Sequence, residues 1–151
     1  MTDVELEDPA WSLALPGAEA LVLEAAEATL ASEGAVGDGV TLLLTDDETV
    51  RGLNVRFREQ DNPTNVLSFP APQNPERFLG DIALAYGVCA REAHEQGKPL
   101  AHHLQHLVAH GVLHLLGYDH VSDDQAAEME GLERAVLAGL GIPDPYLAGS
   151  T

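Results

Sequence analysis

Basic residues are the scarcest chemical class in this chain. Seven lysines and arginines stand against 25 aspartates and glutamates, a formal net charge of −18. A field of that sign repels a polyanion over most of the surface. Cysteine is almost missing: Cys89 alone allows no internal disulfide and suits a reducing compartment. No apolar run approaches the length a membrane helix needs. The first residues, MTDVELEDP, are acidic and lack the apolar stretch of a signal peptide. Together these absences lead us to expect a cytoplasmic protein. What is present is 151 residues at 45% hydrophobic content, one domain's worth of chain with enough apolar surface for a core.

The charge is unevenly placed. Six of the seven basic residues (Arg51, Arg56, Arg58, Arg77, Arg91 and Lys98) fall between positions 51 and 98, where six acids balance them. The reading is either an acidic body with one less hostile face for an anionic ligand, or the plain acidity of a salt-tolerant source.

The stretch with most chemistry is HGVLHLLGYDH, from His110 to His120. Leu104, Leu107, Val108, Val112 and Leu115 recur at helical spacing, so the stretch begins on a helix. His110 and His114 are one turn apart on one face, with Cβ atoms about 5–6 Å apart, close enough to converge on one ion. Gly117 is suited to end that helix in the left-handed conformation, after which His120 can face the first two histidines. Three neutral imidazoles with an open fourth position suit a catalytic zinc, and nickel or another divalent ion would bind as well.

His102, His106, His110 and His114 all recur at four-residue intervals, so periodicity alone allows other pairs. Only the pair beside the glycine stop has a third ligand arriving from another direction. The expected ligands are therefore His110, His114 and His120. His106 is expected in a second layer or lining the pocket, and His102 and His103 in solvent. Asp119, beside a ligand, is read either as a general base or as support for an imidazole. The spacing H-x-x-x-H-x-x-G-x-x-H is also that of metzincin proteases, in which a glutamate base follows the first histidine. Here that position is Gly111, so peptide hydrolysis by that route has no proton acceptor.

HGVLHLLGYDH, preceded in order by PTNVLSFP (residues 63–70) and LGDIAL (residues 79–84), resembles the three motifs of the YbeY family of bacterial rRNA-maturation endoribonucleases. The likeness spans about residues 40–140. It implies a zincin-like architecture and a zinc-dependent, single-strand-specific endoribonuclease. The implied task is 3′-end maturation of small-subunit rRNA and ribosome quality control. Arg56 matches the arginine that the family relies on. A guanidinium there would clamp a phosphate, although a cation near a helix C-terminus also has an ordinary dipole role. Asn65 departs from the aspartate expected of most members, keeping the shape and losing the charge. Two alternatives stand beside the nuclease: a ribosome-assembly factor with a mainly structural metal, docking on basic ribosomal proteins, or another small metallohydrolase.

The remaining elements predict one α+β domain, a small mixed sheet packed against a central metal-binding helix. Strands are expected at 3–7, 40–44, 65–69 (an edge strand between Pro63 and Pro70) and 80–86. Helices are expected at 18–32, from a Thr45/Glu48 capping box with Val50, Leu53 and Phe57 inward, at 87–96, from Pro99, and at 122–140 from a Ser122/Gln125 capping box. Asp61-Asn62-Pro63 reads as a turn. The ends, about 1–2 and 145–151, are expected to be loose.

Overall fold

The computed structural model describes residues 2–58 and 64–146; the Asp61-Asn62-Pro63 turn and residues 147–151 lie outside the described residues. Four strands, β1 (Thr2–Leu6), β2 (Gly39–Thr45), β3 (Val66–Pro70) and β4 (Phe78–Ala85), form one sheet in the order β1-β2-β4-β3. The β1–β2 and β2–β4 pairs are parallel, and β3 runs antiparallel to β4 at the edge. Pro70 suits that edge because a proline cannot donate to a further ladder. The helices are α1 (Ala10–Ala14), α2 (Ala18–Ser32), α3 (Asp47–Arg58), α4 (Tyr86–Glu95), α5 (Leu100–Leu115) and α6 (Asp123–Gly139). The expected α+β class with a small mixed sheet is observed.

Alternation along the strands builds two apolar layers. In β2, Val40, Leu42 and Leu44 are fully buried, and Leu42 and Leu44 sit beside Ile82 and Leu84 of β4. This face packs on Val22, Ala25, Ala26 and Leu30 of α2 and on Leu104, Leu107, Val108 and Val112 of α5. Each large side chain so buried contributes about 1.5–3 kcal/mol of transfer free energy. The opposite face, with Leu43, Leu67, Ala83 and Ala85, is covered by Val50 and Leu53 of α3 and Val88 of α4. Helix α5 is the centre of the molecule, with eleven of its sixteen residues buried, which is how a helix apolar on nearly all sides resolves its pattern. Gly111 lies where α5 approaches the sheet, and a Cβ there would come within 3.0 Å of Ile82 and 3.1 Å of Ser68.

Three details depart from expectation. The cap of α3 is Asp46, whose Oδ1 accepts from Thr49 N–H at 2.7 Å, because Thr45 is spent as the last residue of β2. Phe57 points outward, 58% exposed, and meets Phe69 of β3 edge to face at 5.4 Å. Helix α1 has no periodic signal in five residues, yet it buries Trp11, whose Nε1–H donates to Thr45 O and whose ring stacks edge-on against Tyr86. The Ser122/Gln125 capping box of α6 is formed as expected.

Candidate metal centre

Helix α5 ends in a Schellman arrangement. Tyr118 N–H donates to Leu113 O and Gly117 N–H to His114 O, both at 3.0 Å, with Gly117 at φ 105°. That reversal does a second job. It turns the Tyr118 carbonyl back to His114, whose Nδ1 lies 3.0 Å from it. A carbonyl only accepts, so the His114 proton sits on Nδ1 and Nε2 keeps a bare lone pair. His110 is treated alike by a carboxylate: its Nδ1 lies 3.0 Å from Glu133 Oε2 of α6. On neutral rings the two Nε2 atoms then carry no proton, and they face one another at 3.0 Å. Lone pairs held that close repel unless a cation lies between them.

His120 arrives from the loop after Gly117. Its ring lies 5.0 Å from that of His114 and 5.4 Å from that of His110. One nitrogen from each of the three histidines lies within 4.8 Å of the others. Tetrahedral Zn–N bonds of about 2.0–2.1 Å place ligand nitrogens about 3.3 Å apart, so the donor set fits a small divalent ion after modest rotation of the half-exposed His120. Burial, reinforced by the neighbouring His110 and His120, pushes the His114 pKa down, which favours the neutral ligand form. Two imidazole N–H groups and a backbone carbonyl or carboxylate behind them is the outer arrangement that metal-binding histidines require.

The cleft in front of these rings holds about 530 Å³ and is walled by the β3 edge (Asn65, Ser68 and Pro70) and the Tyr118–His120 loop. Asp119 lies on its wall, its Oδ1 accepting from His120 N–H at 2.7 Å and standing 4.0 Å from the His120 ring. Asn65 Nδ2 donates to Glu92 Oε1, while its Oδ1 accepts from Val66 N–H. Arg56 is exposed on α3, its guanidinium 5.8 Å from the Phe57 ring centre, and is not among the residues that wall the histidine cleft.

The other histidines of α5 are arranged differently. His103, expected in solvent, is 4% exposed, with Nε2 2.9 Å from Glu92 Oε1. The sequence offered no sign that Glu92, on another helix, would lie opposite it. His106 points away from the three-histidine cleft to Glu133, which it meets at 2.5 Å. Glu133 is itself the group that sequence reasoning missed. It lies on the inward stripe of α6 between Met129 and Leu137, and is 1% exposed. Burial raises its pKa, but the bonds from His106, His110 and Tyr146 outweigh that and hold it down at about 2. A carboxylate in the middle of an apolar stripe was the available signal.

An α+β domain with three imidazoles converging at the end of a buried helix defines a class, that of small domains whose histidine cluster could hold a metal ion. A family model described as endoribonuclease YbeY matches residues 9–141. A Rhodopseudomonas palustris endoribonuclease YbeY is 52% identical over 153 residues, covering 96% of this chain and 80% of the relative. One from Paramagnetospirillum magneticum is 52% identical over 156 residues, covering 95% and 93%. The solution structure of a Thermotoga maritima protein shares the fold, with a TM-score of 0.59 at 24% identity over 100% of this chain and 99% of that one. The chain belongs to the endoribonuclease YbeY family.

Proposed function

We propose that this protein is a metal-dependent, single-strand-specific endoribonuclease of the cytoplasm. Its task is 3′-end maturation of small-subunit rRNA and ribosome quality control. The observation that carries the reading is the pair of bare Nε2 atoms at 3.0 Å, with His120 beside them, in a chain of this family. His110, His114 and His120 would hold the ion, and zinc is the choice that three imidazoles favour. Bound there, a zinc ion supplies Lewis acidity to a phosphoryl oxygen and to a water molecule. In this reading the fold is zincin-like, with the antiparallel edge strand β3 lying along the metal helix.

The chain's own residues divide the remaining work. Arg56 is proposed to hold the scissile phosphate as RNA passes the exposed end of α3, supplying a bidentate donor where charge develops. Asp119, on the cleft wall beside His120, is proposed as the acceptor of the attacking oxygen's proton. Peptide hydrolysis is disfavoured twice. Position 111 faces Ile82 and Ser68 at contact distance, leaving no space for a glutamate. On the β3 edge, Val66 N–H is taken by Asn65 and Pro70 has none, so a peptide finds few donors to pair with.

The charge of −18 calls for a second contact, and docking on basic ribosomal proteins belongs to the proposal. The outer sheet face carries a groove of about 1000 Å³ with Leu43, Phe57 and Phe69 beside Glu5 and Asp81. Burial raises the Asp81 pKa, which marks a carboxylate short of water.

Incubation of zinc-loaded protein with labelled single-stranded RNA at low salt tests the activity, beside an EDTA-treated sample and a His114→Ala variant. Cutting by the loaded wild type alone is the expected result. A folded but inactive His114→Ala variant supports the enzyme, whereas unfolding of that variant supports the assembly factor with a structural metal.

A further inference from the structure

The buried Glu133 carboxylate accepts three side-chain hydrogen bonds, and it stands behind the proposed metal site rather than in it. Its Oε2 meets His110 Nδ1 at 3.0 Å. Its Oε1 takes His106 Nε2 at 2.5 Å and the Tyr146 hydroxyl at 2.6 Å. A buried carboxylate is costly, and an apolar side chain of similar volume generally serves stability as well or better. An apolar residue between Met129 and Leu137 would suit the stripe but leave His106, His110 and Tyr146 without their acceptor. The C-terminal segment is fastened to the same place. Asp144 accepts from Arg134 Nε at 3.0 Å and from Tyr146 N–H at 2.8 Å, and the Tyr146 ring stands edge-on to His106 at 5.2 Å. Tyr146, at the start of a tail expected to be loose, is therefore locked onto the carboxylate that orients a proposed ligand.

We propose that Glu133 is the positioning residue that sets the His110 ring for metal binding, with Tyr146 and His106 holding the carboxylate so that the C-terminal segment completes the site. The inference rests on the metal-site reading above and adds residues which that reading does not use. A carboxylate can only accept, so it keeps the His110 proton on Nδ1 and the lone pair on Nε2. An amide at position 133 can turn its NH2 toward Nδ1, which favours the opposite tautomer and places a proton where the ion should bind. Glu133→Gln keeps the volume, so its effect on the metal is separable from a packing defect.

The test is zinc affinity by chelator competition, with the visible spectrum of the cobalt-loaded protein as a report on ligand geometry. Folding is checked by circular dichroism. Glu133→Gln should bind zinc about 10- to 100-fold more weakly and shift the cobalt spectrum at saturation. Glu133→Asp, which keeps the acceptor, should recover part of the affinity. Tyr146→Phe should weaken binding in the same direction but less, and shift the spectrum the same way. A Glu133→Gln protein that binds within twofold of wild type, with a superimposable spectrum, overturns the proposal. If Glu133→Gln does not fold, a Tyr146→Phe spectrum identical to wild type overturns it instead. Failure of the wild type itself to take up one equivalent of zinc would bring down the metal-site reading and this inference together, a result distinct from the other two.

Discussion

The two halves of helix α5 each carry a pair of histidines, three residues apart in the first and four in the second, and put them to different uses. In the first half, His103 and His106 are buried against the carboxylates of Glu92 and Glu133. In the second half, His110 and His114 direct their Nδ1 protons to acceptors behind them and turn bare Nε2 atoms toward a cleft. Spacing decides which rings are neighbours. What lies opposite each ring decides its chemistry, and on α5 that is set by α4, by α6 and by the turn at Gly117.

The difference can be broken from either side. The largest effect should come from His110→Ala or His114→Ala. Removing a ligand should cost at least about 4 kcal/mol of transition-state stabilisation, about a thousandfold in RNA cleavage rate, with the metal-free fold retained. Single-turnover cleavage and urea unfolding of the same preparations separate the two. In the first half the order reverses. His103→Ala takes a partner from Glu92 and should cost about 1–3 kcal/mol in urea unfolding, with zinc affinity unchanged.

Asn65→Asp probes the same carboxylate. The amide now donates to Glu92 at 2.9 Å, and the substitution puts two carboxylates in contact. One of them must then have a folded pKa above its unfolded value. The deficit is therefore present at neutral pH and fades as pH falls through the raised value. A folded pKa raised by about 1 corresponds to about 1.4 kcal/mol, read as the difference in unfolding free energy between pH 7 and pH 4. Gly117→Ala acts on both stability and the site, because its φ of 105° disfavours any side chain. It should cost about 1–2 kcal/mol in stability and, by moving the Tyr118 carbonyl, weaken zinc binding. Unchanged zinc affinity in a destabilised Gly117→Ala protein would show that the turn ends the helix without orienting His114.

Much of this site was legible because it is local. His110, His114, Gly117 and His120 lie within eleven residues, and helix geometry with one left-handed glycine brings them together. The α+β class and most elements followed from periodicity, and the Ser122 cap from residue chemistry. Other features are set by partners distant in the chain. His103 looked like a solvated residue because Glu92 approaches from α4. Glu133 was hidden because its partners His106, His110 and Tyr146 come from two other segments. Phe57 fitted an inward stripe in one dimension, but α3 needs only Val50 and Leu53 to cover its side of the sheet, which leaves Phe57 to meet Phe69.

Metal binding is expected only at the end of α5 and the loop that follows it. Long-range nitrogen–proton NMR of the histidine side chains, recorded as one equivalent of zinc is added, tests it directly. The Nε2 signals of His110 and His114 and one ring-nitrogen signal of His120 should move to the metal-bound range together, while His102, His103 and His106 keep their metal-free tautomers. Movement of His103 or His106 into that range, or zinc binding that leaves His120 unchanged, would contradict it.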